Sequence, residues 1–93
     1  MTVKHEIIDQ KGAFFIDEEH ERIAEMTYSI AGPDKFIIDH TEVDDRYRGQ
    51  QLGLQLVKAA VEYARTEKKK VMPLCPFAKK MFDTHNEFQD VLW

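Results

Sequence analysis

A chain of 93 residues is long enough to bury one hydrophobic core without disulfide bonds, so we expect a single domain over residues 1–93. Its net charge of −4, with lysine and arginine scattered along the chain, argues against a nucleic-acid binder, which needs a concentrated basic surface. No apolar run approaches the roughly 18 residues of a membrane span, so we expect no membrane partner.

The first third of the chain predicts three antiparallel strands. The stretches "VKHEIID" and "AFFID" have the β-branched and aromatic character of strands, and Gln10-Lys11-Gly12 between them predicts a hairpin turn. In "RIAEMTYSIA" apolar and polar residues alternate, which places residues 24, 26, 28 and 30 on one buried face.

The fourth predicted strand, "KFIIDHTEV", carries an apolar run and a histidine. Because Phe36, Ile37 and Ile38 are apolar on both faces of the strand, we expect a central strand that is covered on both sides. Regular alternation places His40 on the face of Phe36 and Ile38, and Asp39 on the opposite face.

The second half of the chain predicts a long helix, a short strand, a second helix and a docked tail. Residues 50–67 have helical period, and only a narrow stripe of that helix is polar. The stripe consists of Gln55, Lys58, Glu62 and Arg65. The stretch "KVMPL" predicts a fifth strand, a helix follows from Pro76 through "FAKKMF", and the apolar tail "NEFQDVLW" is expected to pack on the core.

These elements predict an α+β fold in three layers. We expect a mostly antiparallel mixed sheet of about five strands, with strands 4 and 5 parallel because a helix connects them. The main helix lies between these two strands in the chain, and a short helix follows strand 5.

The segment "RYRGQQLG" predicts an anion site at the start of the long helix. The first N–H groups of a helix have no partner within it, and the helix dipole attracts anions to that end. Gly49 and Gly53 lack Cβ atoms that would keep a ligand from the backbone, and Arg46 and Arg48 add positive charge. The sequence therefore predicts a phosphate group at residues 48–53. The alternative is that Gly49 only makes a turn and Gly53 only permits close helix–sheet packing.

The same segment resembles motif A of the GNAT superfamily, the acyl-CoA-dependent N-acetyltransferases. That motif reads Gln or Arg, two variable residues, Gly, one variable residue, then Gly or Ala; Arg48 matches its first position and Gly53 its last. Gln51 stands where the family usually has glycine, so its side chain must point away from a bound pyrophosphate. The resemblance covers nearly the whole chain. Within the superfamily the chain is similar to the small single-domain YjdJ-type branch, through the His40-Thr41 pair and the stretch "MPLCPFAKKMF".

The resemblance implies that acetyl-CoA is the co-substrate. Its pyrophosphate would bind at the helix start, its pantetheine arm along the end of strand 4, and its 3′-phosphate near Lys79 and Lys80, unless these lysines are simply exposed. The cofactor-binding residues implied in this way are Glu42, Val43, Arg46, Arg48, Gly49, Gln50, Gln51, Leu52, Gly53, Lys79 and Lys80.

Two residues are candidates for catalysis. Cys75 lies just before a predicted helix start, which favours the thiolate, so it either takes the acetyl group itself or is a small buried apolar residue. His40 is the candidate general base; the alternative is a partly buried histidine bonded within the sheet. Because His40 and Asp39 are expected on opposite faces unless the strand is bulged, we reject a triad of Cys75, His40 and Asp39. The remaining histidines share no metal-ligand spacing with one another or with Cys75, so no metal is expected.

The leading hypothesis is an acetyl-CoA-dependent N-acetyltransferase that acts on an amine. Many larger members of the superfamily use a tyrosine near the C-terminal helix to protonate the leaving thiolate, and no tyrosine follows Cys75 in this chain. We expect an open acceptor site that suits a protein side chain, a peptide end or a small amine. The alternatives are a non-catalytic module that binds CoA or acyl-CoA and, last, a cysteine hydrolase of thioesters. A lone cysteine and an N-terminus without a secretion-signal pattern predict a cytoplasmic protein, and the acidic composition is compatible with a monomer.

Overall fold

The computed structural model describes residues 1–93, which form one five-stranded sheet and two α-helices. The elements are β1 (Lys4–Ile8), β2 (Lys11–Glu18), β3 (Glu21–Gly32), β4 (Lys35–Val43), α1 (Leu52–Thr66), β5 (Lys70–Pro73) and α2 (Pro76–Thr84), with 3₁₀ segments at Asp45–Tyr47 and Asn86–Val91. The strands lie side by side in chain order; β1 to β4 are antiparallel, and β5 is parallel to β4. The α+β class and the parallel pair predicted from the sequence are confirmed. None of the helices has the length and apolar content that a membrane crossing requires.

The helices and the C-terminal 3₁₀ segment contact one another and cover one face of the sheet. Helix α1 buries a stripe at spacings of three and four residues, because its small and branched apolar residues recur on one side. That stripe consists of Leu52, Leu56, Val57, Ala60, Val61 and Ala64. The tail docks as predicted: Phe88 and Val91 are buried, and the N–H of Trp93 donates to the Val71 carbonyl at 2.9 Å.

The opposite face of the sheet carries no helix. Ile37 points to this face and is only partly buried, whereas Phe36 and Ile38 on the helical side are almost fully buried. The expected cover on both sides of strand 4 is therefore wrong, and the fold has two layers where three were expected. We call the uncovered surface the open face; it carries Glu25, Thr27 and their neighbours.

The first hairpin turns one residue earlier than expected. Asp9 and Gln10 form the turn, with Asp9 in the left-handed region at φ 57°, and Gly12 lies inside β2. A Cβ at Gly12 would overlap the ring of Tyr28, which is 1% exposed. Gly12 is thus required by core packing and not by the turn.

A β-bulge interrupts β4 at Asp39. Thr27 of β3 pairs with His40, while the next residue, Tyr28, pairs with Ile38, so Asp39 has no partner of its own. One extra residue reverses which side chains face each side of the sheet. The prediction that His40 shares a face with Ile38 is therefore wrong, and His40 lies on the open face.

His5 is held in an aromatic cluster on the helical side of β1. Its Nε2 atom lies 2.6 Å from the Tyr28 hydroxyl oxygen, and its ring stacks on Phe14 with the centroids 4.1 Å apart. Partial burial disfavours the charged ring and lowers the pKa of His5.

We predict that His5 makes the protein less stable in mild acid. The folded-state pKa lies below about 6.5, the value of an unperturbed histidine, so the neutral ring stabilises the fold above that pH and the contribution is lost as pH falls. Thermal unfolding measured from pH 7.5 to 5.5 should show a larger fall in Tm for the wild type than for His5→Gln. Parallel curves for the two proteins would contradict this assignment.

Candidate functional site

The start of α1 presents unpaired backbone N–H groups. Gln51 caps the helix without a side-chain hydrogen bond, and the first helical N–H with a backbone acceptor is that of Gln55, which donates to the Gln51 carbonyl at 3.1 Å. The N–H groups of residues 49–54 donate to no other part of the chain. Together with the helix dipole, these groups form a site for an anion such as a phosphate.

The turn before α1 uses the left-handed region twice. Gly49 has φ 82° and Gln51 has φ 59°, which aims successive N–H groups toward one side of the turn. A Cβ on Gly49 would meet nothing within 4 Å, so its backbone conformation is what requires glycine. The left-handed backbone of Gln51 also favours glycine. This is a physical reason why the family motif usually has glycine where this chain has Gln51.

A groove of about 440 Å³ runs from the end of β4 past the start of α1 and along α2. Predicted cofactor-binding residues that line it are Val43, Arg48, Gly49, Gln51, Leu52 and Gly53. Residues that line it without having been predicted are Tyr47, Leu54, Phe77, Met81 and His85. The last three are spaced by four residues on one side of α2, and that helical spacing is the signal from which they could have been found.

The two arginines of the predicted anion site differ in position. Arg48 lines the groove, where its guanidinium lies 2.9 Å from the Asp45 carboxylate. Arg46 points elsewhere and binds Asp44 at 2.9 Å and Glu21 at 3.0 Å. Hydrogen bonds from Arg46 lower the pKa of Asp44 below its ordinary value. Arg46 therefore ties the loop to the β2–β3 turn, and Arg48 is the arginine available to a ligand.

The other predicted cofactor residues lie outside the groove. Lys79 is exposed and its Nζ atom lies 3.4 Å from the Asp83 carboxylate, and Lys80 is exposed on the same helix. Gln50 is exposed in the turn beside the groove, and Glu42 points to the open face. Their roles in cofactor binding stay predictions.

Gly53 and Phe77 join the two helices at the groove. A Cβ on Gly53 would lie 2.5 Å from Cζ of Phe77, so the ring rests directly on the glycine backbone. Close packing is thus one reason for glycine at this position, as the alternative interpretation expected, and the role of Gly53 in cofactor binding stays a prediction. The packing is between helices, however, and not between helix and sheet.

A gap opens between β4 and β5 beside this groove. Their ladder ends at the pair Ile38–Pro73, while β4 continues to Val43. The N–H groups of Leu74 and Cys75 both donate to the Ile38 carbonyl, at 3.1 and 3.2 Å, as the chain turns away into α2. The remainder of β4 pairs with β3 on one side only. On the side where β5 has left the sheet its backbone groups are free to bind a ligand.

Cys75 closes the inner end of the gap as the N-cap of α2. Its sulfur accepts a hydrogen bond from the Ala78 N–H at 3.5 Å and donates to Thr41 Oγ1 at 3.3 Å. The residue is 5% exposed. Cys75 is thus both a buried core residue and a neighbour of the free edge of β4, and its partner is Thr41.

His40 lies on the open face with its own partner. Its Nε2 atom is 3.1 Å from the Glu42 carboxylate, and its side chain is 62% exposed. Because Thr41 pairs with Met26, which is fully buried, Thr41 and Cys75 lie on the helical side. The structure therefore does not bring His40 and Cys75 together.

A second cavity, of about 600 Å³, lies on the open face between β3 and the end of β4. Most of its lining side chains are charged, and carboxylates predominate: Arg22, Glu25, Glu42, Asp44 and Asp45. Val43 borders both this open-face pocket and the groove. Two cavities of different character therefore approach the end of β4.

Known proteins resemble this chain in sequence and in fold. A family model described as GCN5-related N-acetyl-transferase matches residues 13–91. Protein NATD1 from Danio rerio is 26% identical over 80 residues, which cover 86% of this chain and 72% of that protein. A GCN5-like protein from Staphylococcus aureus, solved by NMR, is 36% identical with a TM-score of 0.73, and the match covers 97% of this chain and 87% of the other.

A more distant structural neighbour was crystallised with acetyl-CoA bound. It is a GNAT family acetyltransferase from Elizabethkingia anophelis, which is 17% identical with a TM-score of 0.60. The match covers 69% of this chain and 42% of that protein, so this chain spans less than half of its length. At this identity the likeness concerns the fold.

We predict that the effect of Gly53→Ala depends on Phe77. With Phe77 present, the new methyl group must displace the ring, which should destabilise the protein by about 1 kcal/mol and lower Tm by roughly 4–8 °C. In a Phe77→Ala background the clash is absent and the higher helix propensity of alanine should stabilise the protein. A double-mutant cycle from denaturant unfolding tests this, and additive effects would refute the proposed packing.

Proposed function

The chain belongs to the family of GCN5-related N-acetyltransferases, and on that premise we propose that it binds acetyl-CoA in the groove and acetylates an amine that arrives from the open face. Enzymes of this family take the acetyl group from acetyl-CoA. The observation that carries the proposal is that the free N–H groups of residues 49–54 and the free edge of β4 meet in one groove.

The groove and the neighbouring edge of β4 offer one binding group for each successive part of acetyl-CoA. The N–H groups of residues 49–54 and the Arg48 guanidinium would hold the diphosphate. The pantetheine amides would pair with the edge of β4 at Thr41 and Val43, as a strand added to a sheet does. This places the thioester at the inner end of the gap, near Cys75.

The residues around the gap supply the chemistry of a direct transfer. His40, held by Glu42, would first take one proton from the ammonium form of the amine, and the neutral nitrogen would then attack the thioester carbon. A free backbone N–H of β4, that of Thr41 or Val43, would donate to the developing oxyanion. As the carbon–sulfur bond breaks, the S–H of Cys75 would protonate the CoA thiolate, and the second proton that the nitrogen loses in forming the amide would return to Cys75 through the Thr41 hydroxyl.

The covalent route through acetyl-Cys75 is the second candidate. One observation favours it: Cys75 accepts the Ala78 N–H at the start of α2, an arrangement that stabilises a thiolate. Two observations favour direct transfer. Cys75 is buried with its proton directed to Thr41, and His40 lies on the other face of the sheet, where it cannot deprotonate the sulfur.

The open-face pocket supports a cationic acceptor. Four carboxylates line it and bond Arg22, His40, Arg46 and Arg48 within the chain, so the pocket is a cluster of cation-binding oxygens that the positive charges of an acceptor could join. The pocket is wide and shallow on an uncovered sheet, which suits a lysine side chain or a polyamine better than an enclosed metabolite.

We predict that Arg48→Ala weakens acetyl-CoA binding about fivefold to tenfold, because the diphosphate loses a charge-assisted contact. Arg46→Ala is the matched control: it removes the same charge two residues away, but from a side chain committed to Asp44 and Glu21, and should change affinity less than twofold. Isothermal titration of both variants with acetyl-CoA makes the test. Equal losses in both would refute the assignment of Arg48 to the groove.

We predict that His40→Gln lowers kcat about a hundredfold and leaves acetyl-CoA affinity unchanged, because a general base contributes to the chemical step. His20→Gln, in the β2–β3 turn, is the control and should behave as the wild type. The measurements are steady-state kinetics on a lysine peptide or a polyamine. Mass spectrometry of the enzyme with acetyl-CoA alone should find Cys75 unmodified; an acetyl group on Cys75 that passes to added amine would replace direct transfer by the covalent route.

A further inference from the structure

Arg48 and His85 are the groove residues that can carry a positive charge, and the proposed transfer does not use His85. It follows α2 directly, at the opposite end of that helix from Cys75. We propose that His85 receives the 3′-phosphate of the coenzyme A nucleotide through its Nε2 atom. This inference rests on the proposed binding of acetyl-CoA in the groove.

The His85 ring is fixed in orientation before any ligand binds. Its Nδ1 atom lies 2.8 Å from the Met81 carbonyl oxygen, and because a carbonyl only accepts, Nδ1 carries a hydrogen. The ring also stacks on Phe88 with the centroids 5.1 Å apart and the planes at 9°. Nε2 is therefore the free polar atom of a ring whose other contacts are satisfied within the fold.

The distance along α2 assigns this end of the groove to the nucleotide. Cys75 and His85 are separated by ten residues, which is about 15 Å of helix. The thioester would lie at the Cys75 end, and the start of α1, where the diphosphate would bind, meets α2 between the two, because Gly53 lies against Phe77. The part of coenzyme A that extends beyond the diphosphate is the phosphorylated adenosine, so it reaches His85.

The charge of the groove suits a phosphate at this position. Arg48 and His85 are its only lining residues that can carry charge at neutral pH, and no carboxylate lines it, although the chain as a whole is acidic. With Nδ1–H donated to Met81, a hydrogen on Nε2 makes the ring a cation whose free N–H can donate to a phosphate oxygen. His85 thereby takes the part that the sequence suggested for Lys79 and Lys80, which lie outside the groove.

The test compares coenzyme A with dephospho-coenzyme A, which lacks only the 3′-phosphate. The decisive variant is His85→Asn, whose side-chain amide can still donate to the Met81 carbonyl but has no group at the position of Nε2. We expect His85→Asn to weaken coenzyme A binding about fivefold to tenfold while dephospho-coenzyme A binds as to the wild type. His85→Gln, whose amide reaches the position of Nε2, should recover part of the loss.

Three results would overturn the inference. They are equal losses for the two ligands in His85→Asn, no loss for either, or a loss specific to coenzyme A that appears in Lys79→Ala or Lys80→Ala instead. Wild-type protein that binds neither ligand would refute the proposed function itself, and this outcome is distinct from the other three. His85 is also the C-cap of α2. Comparing the Tm of each variant with that of the wild type, without ligand, shows whether a substitution has destabilised the end of that helix as well as removed a ligand contact.

Discussion

One extra residue in β4 determines how this small domain is organised. The bulge at Asp39 reverses the side-chain alternation of the strand, so His40 turns to the open face and Thr41 turns toward the helices. At the same level β5 leaves the sheet, because Leu74 and Cys75 both bond to Ile38 and the chain enters α2. The proposed base and the thiol are thereby placed on opposite sides of one strand, with a free strand edge between them.

The two cavities that meet at this strand differ in charge. The groove on the helical side has no lining carboxylate and gains positive potential from Arg48 and from the start of α1. The open-face pocket is rich in carboxylates. The proposed function uses this separation of charge, because it assigns an anionic co-substrate to one side of the strand and a cationic acceptor to the other.

Much of the candidate site was predictable because helix starts are governed by local sequence. Glycines and arginines before an amphipathic helix led to residues 48–53, and the structure leaves the N–H groups of residues 49–53 unpaired. The sequence does not distinguish Arg46 from Arg48, since both stand in the same loop and differ only in which carboxylates lie near them after folding. On α2 the family resemblance implied Lys79 and Lys80 as neighbours of the 3′-phosphate, whereas the residues that line the groove are Phe77, Met81 and His85.

The sequence by itself determined the elements, their order, the parallel pairing of β4 and β5 and the glycine-containing turn that leaves N–H groups unpaired at the start of α1. Periodicity, glycine placement and the crossover rule act over short stretches of chain. Only the tertiary structure decided the facing of His40, the partner of Cys75 and the uncovered side of the sheet. A bulge is defined by register against a neighbouring strand, and exposure is defined by what packs opposite, so neither is contained in the residues of β4 alone.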